Sequence, residues 1–260
     1  MKCIILAGGF GTRLQSVSRG TPKPLLEVRG RPLIDHIVAK LPEDIEIIVS
    51  TNRKFEEQFT AWRKELPPQR QVGLFVEAAR TEAEKPGAIS ALNIVIKEKT
   101  ISEDLLVIAG DNYFEFDLHR FIAAYDRQNP LIAVYDVGDI EKVKDFAEVT
   151  LARVSREIVN PAHPGKPLAL NLREGSVEGV FQVTGCIEKP QHPASTLVSI
   201  ACYLFPPRIF PILDDYCTGA RRDNLGSFIS HLVKTGLVYA YVFHEKWYDI
   251  GSVETYMTVK

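Results

Sequence analysis

The 260-residue sequence is poor in several features that would each define a class of protein. Cysteine is scarce: Cys3, Cys186, Cys202 and Cys217 show no CxxC spacing and no close histidine partner, so neither a zinc site nor a disulfide framework is expected. Three of the four lie in or beside apolar runs and read as buried free thiols. Charge of one sign is not in excess. Lysine and arginine number 31 against 33 aspartates and glutamates, a net charge of -2, and without a basic surplus a duplex nucleic acid is not an expected partner. Long apolar runs are missing too. The stretches Cys3 to Ala7 and Leu105 to Ala109 fall far short of the roughly 20 residues that span a bilayer, so no membrane partner is expected. The first residues carry one cation and an apolar run too short for a secretory leader, which reads as a cytoplasmic protein. His163 and His192 lie in proline-flanked loops and His244 at a strand end, none in a metal-binding spacing, so all three read as solvated.

What is present is an alternation. Ile- and Val-rich runs predict strands at 2–7, 45–50, 72–76, 104–109 and 131–137, and helical spacing fills the gaps, over Pro32 to Leu41, Phe55 to Leu66, Ala88 to Lys97 and Leu118 to Tyr125. Asp117 stands where an N-cap belongs. This is the pattern of βαβ units with a mostly parallel sheet. After Asp139 the pattern changes. Strands are expected at Val149 to Val154, Val180 to Ile187 and Leu197 to Phe205, with helices near 207–214 and 224–235 and a short terminal helix. The proline-rich stretch Asn160 to Pro167 is read as a surface excursion within one compact unit. The expectation is a single domain over 1–260, with halves meeting near residue 140.

One segment stands out chemically. In Leu6-Ala7-Gly8-Gly9-Phe10-Gly11-Thr12-Arg13-Leu14 a strand ends in a glycine-rich turn that carries a cation. Glycines let backbone N–H groups approach phosphate oxygens, and a guanidinium can hold the same anion with its planar fork. Two well-known phosphate loops fail on spacing, since there is no GxxxxGK[ST] and a dinucleotide GxGxxG would need glycine where Leu14 stands. A tight turn alone would also use these glycines. Ten residues on, Thr21-Pro22-Lys23-Pro24-Leu25-Leu26 places Lys23 between two prolines, expected to hold it in a stiff, extended segment as a point charge for phosphate.

The combination LAGGxGTRL followed by KPLL closely resembles the sugar-1-phosphate nucleotidylyltransferases, the family that includes glucose-1-phosphate thymidylyltransferase. Later segments match in order: Pro86-Gly87-Ala88-Ile89-Ser90-Ala91-Leu92, Val107-Ile108-Ala109-Gly110-Asp111-Asn112, Glu188-Lys189-Pro190 and Trp247-Tyr248-Asp249-Ile250-Gly251. The resemblance covers nearly the whole chain. It implies an α/β fold, a Rossmann-like three-layer α/β/α sandwich with a mixed, mostly parallel sheet of the glycosyltransferase-A type. It also implies a reaction in which a sugar-1-phosphate attacks the α-phosphorus of an NTP and pyrophosphate leaves.

Carried over position by position, the resemblance implies that Leu6, Gly8, Gly9, Gly11, Thr12, Glu77, Gly87 and Gly110 line the nucleotide. Arg13 would hold the β/γ-phosphates and Lys23 would neutralise charge at the reacting phosphate. Lys189 would bind the sugar phosphate and Glu188 the sugar hydroxyls, while Asp111 and Asp249 would hold magnesium. Read singly, Asp111 is a turn residue and Asp249 an N-cap.

The expected cofactor is Mg2+ and the expected partners are an NTP, with dTTP or UTP favoured, and a hexose-1-phosphate. The same reaction with GTP and mannose- or heptose-1-phosphate, or with CTP and an alcohol phosphate, stays open. So does a non-catalytic nucleotide-sugar sensor, against which the intact Arg13, Lys23, Asp111, Lys189 and Asp249 argue. Three departures from the family pattern are visible. Glu77 stands where thymidylyltransferases carry a base-reading glutamine, and a carboxylate favours bases that present donors. Asp145-Phe146-Ala147-Glu148-Val149 replaces a Tyr-Gly. The 155–180 segment is longer than usual and suggests a hairpin. The end of the chain soon after Asp249 implies the short form without a β-helical domain. A homo-oligomer is compatible with the sequence, although no exposed seam is legible in it.

Overall fold

The computed structural model describes residues 1–152, 179–219 and 224–260. The chain groups into two compact units, Met1–Glu115 with Lys246–Lys260, and Phe116–Glu245.

The first unit runs β1 (Lys2–Leu6), α1 (Gln15–Ser18), β2 (Glu27–Val28), β3 (Arg31–Pro32), α2 (Leu33–Val38), β4 (Glu46–Asn52), α3 (Glu56–Glu65), β5 (Val72–Glu77), α4 (Ala88–Glu98), β6 (Leu105–Ala109) and β7 (Asn112–Phe114). Its strands are ordered β5-β4-β1-β6, and each pairing is parallel. Parallel strands covered on both faces must be apolar on both faces, which is why β1 and β6 read as unbroken hydrophobic runs. Cys3, Ile4 and Ile5 are fully buried, as are Leu105 to Ile108. α4 covers this sheet with Ile89, Leu92, Val95 and Ile96, a helical stripe of the expected period. A feature absent from the sequence reading is the β2–β3 hairpin. Its two central residues, Arg29 and Gly30, have φ 49° and 83°, the positive values that a two-residue hairpin turn requires.

The second unit contains α5 (Leu118–Ala123), β8 (Leu131–Asp136), β9 (Ala147–Ala152), β10 (Gly179–Glu188), β11 (Leu197–Phe205), α6 (Phe210–Thr218), α7 (Leu225–Thr235) and β12 (Tyr239–Phe243). Asp117 caps α5 as expected, accepting the His119 N–H. Strand order is β11-β8-β12-β10-β9 with a further β11–β9 pairing. Among the described residues of this unit β8 and β12 run parallel, whereas β11–β8, β10–β12, β10–β9 and β11–β9 are antiparallel. The expected hairpin in 155–180, the loop at 160–167 and His163 fall largely or wholly outside the described residues.

The chain then returns to the first unit through β13 (Trp247–Asp249) and α8 (Val253–Val259). β13 pairs antiparallel with β7, Asp249 opposite Asn112, and the Trp247 indole N–H donates to Asn112 Oδ1 at 2.8 Å. α8 is capped by Ser252, whose hydroxyl accepts the Thr255 N–H, so Asp249 is not the cap. Leu14, Leu26, Val28, Leu33, Tyr113, Ile250, Tyr256 and Val259 form one buried cluster. This cluster fastens the start and the end of the chain together. No helix among the described residues is long and apolar enough to cross a membrane. Cys3, Cys186 and Cys202 are buried thiols outside any disulfide and Cys217 is half-buried. Burial pushes the Cys186 thiol up to about 12, which keeps it protonated and unreactive.

Candidate active site

The glycine-rich turn leaves the carboxyl end of β1, where open parallel sheets gather ligands. Its shape is set by backbone demands. Gly11 has φ 62°, a left-handed conformation that glycine adopts without strain, and the Leu14 N–H closes the turn on the Gly11 carbonyl at 2.9 Å. A side chain on Gly11 would also press on Lys23 Cγ at 3.2 Å. Thr12 and Arg13 lie in a 3₁₀ turn and are exposed. Gly9 has open space where a Cβ would point.

Lys23 is held differently from the sequence expectation. Pro22 is extended, but Lys23–Leu25 form a tight 3₁₀ turn, since Pro24 within the first turn is already locked near helical φ. The turn aims the ammonium at Asp111, Nζ donating to Oδ2 at 3.3 Å with both groups partly exposed. Asp111 follows Gly110, where a side chain would crowd its neighbours. The Gly110 N–H donates to the Leu6 carbonyl at 2.8 Å, and a Cβ on it would lie 3.0 Å from that oxygen and 3.1 Å from Pro24. The ends of β1 and β6 and the Lys23 turn are thus locked together by a missing side chain.

The β7–β13 ribbon brings Asp249 to the same place in the first unit. The Ile250 N–H donates to the Asp111 carbonyl at 2.9 Å, and the Asp249 carboxylate lies over Gly251, 3.0 Å from where a Cβ would be. Asp111 and Asp249 supply two hard oxygen donors from adjoining strand ends. Among the described residues no three His, Cys, Asp or Glu side chains converge as a metal cage. The donor set fits a hard cation that completes its shell with phosphate and water, as Mg2+ does.

Glu77 ends β5, opposite Asn52 in the β4 register. It is buried, and burial raises its carboxyl above the ordinary range, while the Ser50 hydroxyl bonded to it and the Lys85 charge pull the other way. The Ser50 hydroxyl donates to Glu77 Oε1 at 2.8 Å, and the same oxygen lies 2.9 Å from where a Gly8 Cβ would stand. Asn52 was not among the residues read from the sequence. Its Nδ2 donates to the Gly8 carbonyl at 3.1 Å, and its Oδ1 is buried without a hydrogen-bond partner among the described residues. Its mark in the sequence is a polar Ser-Thr-Asn end on an otherwise apolar strand. Gly87 stands at the N-cap of α4 in extended conformation, without a side-chain cap.

Glu188 and Lys189 belong to the second unit. Lys189 is exposed, with φ 47°, and its N–H donates to the Phe146 carbonyl at 2.8 Å. Glu188 packs on the first turn of α7, so closely that any side chain at Gly226 would collide with its carboxylate and with Ala147. Glu188 also lines a cavity of about 660 Å³ between β10 and α7, with Thr184, Ser227, Ser230 and His231. His192 and His244 are exposed.

A model of the nucleotidyl transferase family matches residues 2–260. Among curated proteins, the bifunctional protein GlmU of Methanocaldococcus jannaschii is 25% identical over 252 residues, 96% of this chain and 51% of that one. The UTP–glucose-1-phosphate uridylyltransferase AglF of Haloferax volcanii is 26% identical over 275 residues, 98% of this chain and 93% of that one. The chain spans about half the length of the archaeal GlmU relatives it matches and 62% of a Sulfolobus acidocaldarius relative named for mannose-1-phosphate guanyl transfer. A crystal structure of UDP-glucose pyrophosphorylase with UDP-glucose superposes with a TM-score of 0.76 at 22% identity, over 99% of this chain and 96% of that one. A structure described as a glucose-1-phosphate thymidylyltransferase from Bacillus anthracis superposes at 0.75 with 21% identity, over 100% of this chain and 93% of that one. These superpositions establish the Rossmann-like α/β fold of the nucleotide-diphospho-sugar transferases.

Proposed function

Because the chain belongs to the nucleotidyl transferase family, we propose that it joins an NTP to a sugar-1-phosphate, giving a nucleotide-diphosphate sugar and pyrophosphate. The observation that carries this is the lock at Gly110, which sets the Lys23 ammonium 3.3 Å from the Asp111 carboxylate beside the glycine turn. In this reading the turn's N–H groups and the exposed Arg13 hold the triphosphate, and Lys23 spreads its charge over the phosphate that reacts. The acceptor's phosphate oxygen forms a bond to the α-phosphorus as the bond to pyrophosphate breaks. The acceptor is already an anion, so no side chain has to remove a proton. The chain's work is positioning and charge neutralisation. Asp111 and Asp249 would hold Mg2+, which when bound neutralises phosphate oxygens and orients them for displacement. Lys189 binds the acceptor phosphate and Glu188 its hydroxyls. In domain terms, the N-terminal half serves the NTP and the C-terminal half the acceptor.

The favoured substrates are dTTP or UTP with a hexose-1-phosphate. Glu77 favours a second pairing with GTP, because an ionised carboxylate accepts hydrogen bonds and guanine presents two adjacent donors. The test is pyrophosphate release with magnesium, crossing dTTP, UTP, CTP, GTP and ATP against glucose-, mannose- and N-acetylglucosamine-1-phosphate and phosphocholine. One productive pair supports the reaction and names the base. Silence across the grid, from folded protein that binds an NTP, overturns these substrate pairs in favour of another sugar phosphate or of a nucleotide-sugar sensor.

A further inference from the structure

The loop from Lys189 to Thr196 joins β10 to β11, and both strands pair with β9, Glu148 standing opposite Ile187 on one side and Val198 on the other. The loop therefore arches across the beginning of β9. Pro190 and Pro193 lie within it and have no N–H with which to anchor it. Glu148 is only 3% exposed. Its Oε1 accepts the backbone N–H groups of both Ala194 and Ser195 at 2.7 Å each. At the other foot of the arch, the Phe146 carbonyl accepts the Lys189 N–H. Phe146, just before β9, and Glu148, its second residue, thus tie down both ends of the loop.

A buried carboxylate under an exposed loop is a costly way to hold it, since an apolar side chain would avoid desolvating a charge. The arrangement does achieve one thing an apolar contact would not. It gives the arch a fixed, directional anchor made of two charge-assisted bonds. Lys189 needs such an anchor, because its left-handed backbone is one that a lysine keeps only when its surroundings hold it there.

We propose that Glu148 is a positioning residue for the acceptor phosphate: by holding Ala194 and Ser195 it fixes the arch that presents Lys189. The proposal rests on the reading of Lys189 given above. Glu148→Ala removes the anchor, Glu148→Asp withdraws the oxygen by one methylene while keeping the charge, and Glu148→Gln keeps an acceptor oxygen in place. In the full chain, with the productive pair from the substrate grid, Glu148→Ala and Glu148→Asp should raise KM for the sugar phosphate about tenfold or more while KM for the NTP stays within about twofold. Glu148→Gln should stay within about threefold of wild type in both. Amide hydrogen exchange supplies a second readout that needs no turnover. The Lys189 amide should exchange about tenfold faster in the Ala and Asp variants and near the wild-type rate in the Gln variant. Should Glu148→Ala not fold, Glu148→Asp decides. Unchanged Lys189 exchange, or equal rises in both KM values, overturns the proposal. A silent wild type whose Lys189 exchange still responds to Glu148 overturns the proposed substrate pairs and leaves the anchor standing.

Discussion

The two units hold their candidate site residues by opposite means. In the first, the positions are set by what is missing: Gly110 lets the β6 end touch the Leu6 carbonyl, Gly11 lets the turn invert beside Lys23, and Gly8 leaves space over Glu77. In the second, they are set by carboxylates reaching backbone or helix, the buried Glu148 beneath the Ala194–Ser195 amides and the half-buried Glu188 against the first turn of α7. The parallel strand ends of the first unit come together with little to spare, and a missing Cβ is the way to let backbone meet backbone or phosphate. The largely antiparallel second unit joins β10 to β11 by a loop, and a loop with few donors of its own has to be tied by a side chain from elsewhere. Backbone-built sites leave motifs, whereas sites tied by side chains leave single residues that look unremarkable in a sequence.

The sharpest break of this comparison is Asp111→Asn. If Asp111 is part of the reacting centre, turnover should fall at least about 100-fold with the melting temperature close to wild type. A folded variant with wild-type turnover would remove the first unit's claim to the chemistry. Next comes Gly226→Ala in the second unit, which should displace Glu188 and raise KM for the sugar phosphate about tenfold with KM for the NTP unchanged. If both KM values stay put, the packing of Glu188 on α7 has no bearing on the acceptor. Gly110→Ala tests the first unit's missing-side-chain logic directly. Its Cβ meets backbone at 3.0 Å, so a thermal or denaturant melt should show a loss of about 1–3 kcal/mol, and a neutral outcome would mean the strand ends separate easily.

The smallest effect is expected at Glu77. Burial raises its folded-state carboxyl above the unfolded value, so folding favours the protonated form. The penalty is absent below the unfolded value near pH 4.5, grows as pH rises through the folded value, and is constant above it. Glu77→Gln, which keeps an acceptor for Ser50, should therefore gain stability over wild type as pH is raised from about 4 to neutrality. A difference between the two melting curves that does not change with pH would overturn this. In the substrate grid the same variant should shift base preference toward the pyrimidines.

Much of the first unit was legible. Strands of unbroken Ile, Val and Leu imply burial on both faces, which only a covered parallel sheet supplies, and the glycine turn, Lys23 and Asp111 lie in one segment each. The β2–β3 hairpin was not, because four paired residues around Arg29-Gly30 are too short to show a period. The Lys23 turn was misjudged from the prolines, since Pro24 suits a helical turn as well as an extended one. In the second unit β8, β10 and β11 were legible, β9 is displaced by two residues from its expected place and β12 was implied only by His244 at a strand end; Glu148 was noted only as part of a departure from the family pattern. Its partners, Ala194 and Ser195, lie 46 and 47 residues away and carry no chemical mark of their own.

By itself the sequence carried the alternation of strands and helices and the glycine-rich turn, because hydrophobic period and glycine spacing act over a few residues and are written in order along the chain; the family was legible through the resemblance of its motifs. The tertiary structure decided the pairings between residues far apart: that Asp249 returns on β13 to lie beside Asn112, that Lys23 turns toward Asp111 and that Glu148 holds the arch of Lys189. Such contacts are chosen by how whole elements pack and which buried polar groups then find partners, and no local pattern encodes that choice.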